Sequence, residues 1–146
     1  MEDDKFKIVY NKALDILSRR EHSKKELTEK LINKFDSHEL INLVITKLID
    51  NNLINDSRYV HSYIVARKRR GFGPRKITFE LLKRGVDESL ILNAINDEGG
   101  WKDSAKRAFL KKFKGGIEKD FKLANKQKNF LFNRGFSFEE IDSIFN

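Results

Sequence analysis

Apolar residues recur along this chain at intervals of three and four with hardly an interruption. Phe6, Val9, Tyr10, Ala13, Leu14 and Leu17 make one stripe, Leu27, Leu31 and Phe35 a second, and Leu40, Ile41, Val44, Ile45 and Leu48 a third. Each set falls on one side of an α-helix, because a helix turns once every 3.6 residues, whereas a half-buried strand needs strict alternation. The single proline and the lack of alternating β-branched runs agree. An all-α fold is therefore expected. Start signals stand where the stripes begin. Ser23 with Glu26 and Ser137 with Glu140 are capping boxes, in which the hydroxyl accepts from an orphan N–H and the carboxylate reaches back to the cap's own N–H. Pro74 suits the first turn of a helix capped by Gly73, since its missing N–H has no partner to lose there.

Adding 50 to residue numbers brings the pattern back onto itself. Leu31, Leu81 and Leu131 coincide, as do Ile41, Ile91 and Ile141, then Ile45, Ile95 and Phe145, and the basic residues Lys34, Arg84 and Arg134. Punctuation coincides as well. Gly85 and Gly135 occupy the place of a left-handed helix terminus, Ser37, Asp87 and Ser137 the place of the next cap, and Val86 and Phe136 can staple onto Ile91 and Ile141. Core, turn and cap recurring together predict three tandem three-helix modules at residues 1–54, 55–99 and 100–146 of one continuous domain. Their first helices are expected over residues 6–20, 56–70 and 101–113, the second opening at an Asn55-Asp56 cap. Units of this kind stack into an elongated, curved helical repeat whose long faces can grasp another macromolecule.

Charge changes the picture most. Ten basic residues face ten acidic ones in 1–54, nine face six in 55–99, and eleven face six in 100–146, so a formal net charge of +8 builds towards the C-terminus. That gradient favours polyanions. Twelve Phe are best used as core filling, with base stacking the alternative. The absence of cysteine removes disulfides and thiol chemistry and suits a reducing compartment. An acidic N-terminus and the lack of a long apolar run argue against a signal peptide or a membrane span, so a soluble, cytoplasmic protein is expected.

Catalytic chemistry is hard to find. His22, His38 and His61 lie on separate helices without metal-binding spacing and are expected to be exposed, and carboxylates interleave with lysines, as in Glu26 and Lys30, in the manner of solvated ion pairs. Gly71-Phe72-Gly73 follows a helix and lacks the Gly-Lys-Ser ending of a phosphate loop. No enzyme, cofactor or metal is predicted.

Six basic residues crowd Ala66–Lys76, around the Gly-Phe-Gly-Pro break. A solvated helix end explains one or two of them, through the helix dipole. Arg67, Lys68, Arg69 and Arg70, however, run around the whole circumference, and Arg75 and Lys76 open the next helix, where positive charge opposes the dipole. An acidic partner would offset that cost.

Five stretches in order carry a resemblance: Leu-Ser-Arg-Arg-Glu-His-Ser-Lys-Lys-Glu-Leu (17–27), Leu-Ile-Asn-Asp-Ser-Arg-Tyr-Val (53–60), Gly-Phe-Gly-Pro-Arg-Lys-Ile (71–77), Leu-Lys-Arg-Gly-Val (82–86) and Phe-Leu-Phe-Asn-Arg-Gly-Phe-Ser (130–137). The chain, from about residue 10 to its end, resembles the RecX family of bacterial recombination regulators. It departs from the family's pattern at Val60 and His61 and in the polar 114–122 segment. The resemblance implies three tandem three-helix modules, no catalysis, and binding to the RecA recombinase filament on single-stranded DNA with damping of its ATP hydrolysis and strand exchange. A monomer is expected. Arg67, Lys68, Arg69, Arg70, Arg75 and Lys76, with Lys111, Lys112, Lys114 and Lys128 of the third module, are the candidate contacts to phosphate or acidic protein surface. Arg19 and Arg20 are weaker candidates that could simply close a helix. The alternative is a stand-alone helix-turn-helix-like nucleic-acid binder, for which residues 23–48 have a suitable length; for an RNA-associated scaffold only the charge speaks.

Overall fold

The computed structural model describes residues 2–146, and among these the ordered elements are nine α-helices. They are α1 (Glu2–Leu17), α2 (Lys24–Ile32), α3 (His38–Asp50), α4 (Asp56–Arg69), α5 (Pro74–Lys83), α6 (Glu88–Glu98), α7 (Trp101–Lys112), α8 (Phe121–Asn133) and α9 (Phe138–Phe145). None is long and apolar enough to cross a membrane. The caps sit where side-chain chemistry puts them: both capping boxes are formed, Asp87 accepts from the N–H groups of Ser89 and Leu90, Asn55 from that of Arg58, and Pro74 opens α5 behind Gly73. Gly85 and Gly135 adopt φ of 78° and 100°, the left-handed turn that ends α5 and α8 without a Cβ penalty.

Helix α1 departs most from expectation, beginning at Glu2, ahead of the expected residue 6, while α4 and α7 each end one residue early. Helix α1 stops at Leu17, short of the expected residue 20, because the Ser18 hydroxyl donates to the Asp15 carbonyl and the Arg19 N–H turns back to Ile16, tightening the last turn. Arg19 and Arg20 lie beyond the helix and do not close it. The polar connection after α7 is held from below by Gln127, buried on α8, whose amide nitrogen donates to the Gly116 carbonyl while its oxygen accepts from the Glu118 N–H.

Three separate cores form, the first from the three stripes of residues 6–48 and the others from their counterparts further along the chain. Val9, Ala13, Leu27, Leu31, Ile41, Val44 and Leu48 fill the first, and Tyr59, Val60, Ile64, Ile77, Leu81 and Ile91 the second. Phe109, Leu131, Phe136 and Ile141 fill the third, where Phe145 meets Phe109 edge to face. Trp101 opens α7 yet packs into the second core, its indole N–H donating to the Ile95 carbonyl.

The cores are joined by two junctions of the same design. At the first, the Ser23 hydroxyl donates to the Arg84 carbonyl (2.9 Å), and a Cβ on Gly85 would run into the Lys25 side chain. Fifty residues on, the Gly73 N–H itself donates to the Arg134 carbonyl (2.8 Å) and the Arg75 N–H to that of Gly135 (2.9 Å). Gly73 and Gly135 meet backbone to backbone, a Cβ on Gly73 falling 2.5 Å from the Gly135 carbonyl carbon. Repeating one junction sets successive modules in a common relation, which makes the fold a tandem repeat rather than a single bundle.

Candidate functional site

The last turn of α4 divides its basic residues by direction. Arg67 points back into its own module: its guanidinium grips Glu80 with two hydrogen bonds (3.0 and 2.8 Å), shares that carboxylate with the Tyr63 hydroxyl, and stacks 3.9 Å over the Phe72 ring. The Lys68 ammonium reaches Glu98 (2.8 Å) and the Gly99 carbonyl (2.9 Å) and sits near Trp101, with only 15% of the side chain exposed. Both serve the second module's packing. Arg69 and Arg70 face solvent and have no carboxylate partner among the described residues.

These two open onto a groove between α4 and α7. Its main part, about 520 Å³, continues into a second hollow of about 230 Å³, and Arg70, Gly71, Ala108 and Lys111 line both. Arg69 and Arg107 stand on the first part, Lys112 and Arg134 on the second. Gly71 and Ala108, in ordinary contact at 3.7 Å for a Cβ placed on Gly71, keep the floor low. Glu98 is the one carboxylate along both parts, and it is already paired with Lys68. Cations without local counter-charge around a low floor make a surface that a phosphodiester or carboxylate can approach closely.

Of the residues expected from the sequence, Arg69, Arg70, Lys111 and Lys112 come together here. Lys68 lines the wall with its ammonium already engaged, and Arg67 lies behind it. Arg75 and Lys76 belong to the second junction: Arg75 stacks 4.3 Å over Phe132 and donates to the Phe136 carbonyl, and Lys76 lies 5.0 Å from the centre of the Phe72 ring. Lys114 is exposed in the connection after α7, and Lys128 lies over Phe145 beside α9; neither lines the groove.

Two contributors escaped the sequence reading. Arg107, one helical turn before Lys111 on the same face of α7, could have been found from that spacing. Arg134 was visible only as a repeat partner of Arg84; in the fold it donates to the Arg70 carbonyl (3.2 Å), capping α4, and lies over the rings of Phe72 and Phe130.

The histidine expectation fails at one position. His38 and His61 are exposed, whereas His22 is 1% exposed. The expected Glu26–Lys30 pair is not made either. Glu26 accepts from Arg20, Arg84 and the Ser23 N–H, while Lys30 turns to His22. The reason is tertiary: the first junction brings Arg84 against Glu26 from 58 residues away.

Models of the first, second and third three-helix domains of RecX match residues 10–48, 55–95 and 102–145. The chain belongs to the RecX family. Regulatory protein RecX of Pseudomonas fluorescens (strain SBW25) is 36% identical over 133 residues, covering 90% of this chain and 86% of that protein, and regulatory protein RecX of Pseudomonas tolaasii is 35% identical with the same coverage. The crystal structure of RecX from Lactobacillus salivarius superposes with a TM-score of 0.82 over 98% of this chain and 96% of that one, at 28% identity. A second RecX crystal structure, at 21% identity, shares the fold with a TM-score of 0.81. The chain is thus a RecX-type regulator built as an all-α tandem repeat, as its periodicity predicts.

Proposed function

We propose that this regulator is a non-enzymatic ligand of the RecA filament on single-stranded DNA. It lays the groove between α4 and α7 against phosphates and acidic surface in the filament, and so damps ATP hydrolysis and strand exchange in recombination and repair. The observation that carries this reading is the gathering of Arg69, Arg70, Arg107, Lys111 and Lys112 from two modules along one low-floored groove whose sole carboxylate is already paired. A single module could not make it. Arginine suits the task, since its planar fork takes phosphate or carboxylate through two hydrogen bonds and does not titrate.

The test is RecA ATPase on single-stranded DNA with this protein added below stoichiometry, alongside binding to assembled filament at several salt concentrations. The wild-type chain should lower the steady-state rate. Arg70→Glu with Lys111→Glu should weaken filament binding and reduce the magnitude of the salt slope by about 1 to 2. Unchanged affinity and slope in the double variant would remove the groove from the mechanism. Tight, filament-independent binding to bare DNA would favour the stand-alone nucleic-acid reading instead.

A further inference from the structure

A second cationic cavity, of about 490 Å³, lies in the first module between the end of α1 and α2, away from the groove. Its wall carries Lys12, Arg19, Arg20, Lys30 and Lys34 against a single carboxylate, Asp15. Asp15 attends to Lys12 and Arg19, each at 3.5 Å, and Arg20 is held by Glu26. Lys30 and Lys34 are left with no carboxylate among the described residues. The 50-residue offset carries Arg19 and Arg20 onto Arg69 and Arg70, but this cavity lies within one module, between α1 and α2, whereas the groove lies between two modules.

At the back of this cavity sits buried His22. Its Nδ1 lies 3.0 Å from the Arg20 carbonyl oxygen and its Nε2 lies 2.7 Å from the Lys30 ammonium. A carbonyl only accepts and an ammonium only donates, which assigns a neutral ring with the proton on Nδ1. Burial holds the ring's pKa below its ordinary value; the Arg20 carbonyl opposes this, the Arg20 and Lys30 charges reinforce it, and Glu26 acts against it. In this arrangement the Lys30 ammonium is spent on an imidazole.

We propose that this first-module cavity binds a phosphate group through Lys30 and Lys34, and that His22 takes up a proton from solvent as Lys30 leaves its Nε2 for the anion. The proton goes to the vacated Nε2, so the imidazolium now donates at both nitrogens, to the Arg20 carbonyl and towards the anion. Binding strengthens as pH falls, by up to about tenfold per pH unit while one proton is being taken up. The phosphate is either a free ion or part of a nucleic-acid backbone, the chemistry being shared.

The test uses the intact chain with the His22 ring signal followed by NMR between about pH 5 and 8. The probes are inorganic phosphate and, because phosphate itself titrates in that range, sulfate, which does not. Either anion should raise the His22 midpoint, and sulfate affinity should rise on acidification. His22→Gln should lose that pH slope. Exposed Lys34→Glu, which leaves the packed interior intact, should abolish the effect of both anions on His22. A short thymidine oligonucleotide acting at lower concentration than phosphate would identify the source as a nucleic-acid backbone, and a response to free anions alone would identify it as the free ion. No movement of the His22 midpoint with any probe, or an undiminished response in Lys34→Glu, would overturn the proposal. Arg70→Glu with Lys111→Glu should leave the His22 titration untouched, which keeps this site separable from the groove.

Discussion

Glu26 ties the first module to the second through one carboxylate. It accepts from the Arg20 guanidinium, the Ser23 N–H and Arg84 of the next module, while Arg84 also donates to the Tyr59 hydroxyl. Burial by itself would raise its pKa; the Arg20 guanidinium, the Ser23 N–H and the Tyr59 hydroxyl more than offset this and hold the carboxyl down to about 2. A folded pKa below the unfolded one stabilises the protein above the ordinary value of 4.5, and that stabilisation is lost as pH falls towards 2. The shift corresponds to something on the order of 3 kcal/mol. Glu26→Gln should therefore cost about 2 to 3 kcal/mol in urea unfolding at neutral pH and flatten the acid limb of the stability profile. Asp15→Asn, on an exposed pair, should stay within about 0.5 kcal/mol. In the groove, Arg70 and Lys111 have no carboxylate partner among the described residues, so under the proposed function their reversal should leave the urea midpoint nearly unchanged while weakening filament binding.

Helix ends, more than helix faces, set how the elements meet. The turn after α8 places Gly135 at φ 100° directly against Lys76, and a Cβ there would fall 2.5 Å from the Lys76 backbone nitrogen. Gly135→Ala should destabilise by about 2 to 4 kcal/mol, adding left-handed strain to a clash with backbone that cannot step aside. Gly115→Ala is the control, since nothing lies within 4 Å of its added Cβ, and its urea midpoint should match wild type. The capping boxes of Ser23 and Ser137 are alike in form but not in consequence. Ser23 is buried and its hydroxyl also donates to the Arg84 carbonyl, whereas the Ser137 hydroxyl serves its own helix. Ser23→Ala should thus cost more than Ser137→Ala, about 2 against about 1 kcal/mol by thermal or urea unfolding.

Across the whole molecule, three small cores are coupled by two junctions, and Trp101 bridges one coupling by starting α7 while packing in the second core. As the chain's single tryptophan it reports on the middle of the repeat. Its fluorescence and the helical circular dichroism should lose signal together in urea for the wild-type chain, and separate in Gly135→Ala, where the third module is loosened from the second. The stripes at Leu31, Leu81 and Leu131, the caps at Ser23, Asp87 and Ser137, and the turns at Gly85 and Gly135 were legible beforehand because each depends on residues within four positions of itself. The resemblance read from short motifs pointed to the family for the same reason. Side-chain direction was not legible. Of four consecutive basic residues, Arg67 and Lys68 turn inward only because α5 and α6 bring Glu80 and Glu98 to them, and His22 is buried only because α1, α2 and the first junction close over it. The amino-acid sequence by itself determined the helices, their ends and the threefold recurrence, all governed by local backbone hydrogen bonding and hydrophobic spacing. Which charges remain free to meet a partner was decided only by the tertiary structure, because an ion pair depends on distances between helices that no local pattern encodes.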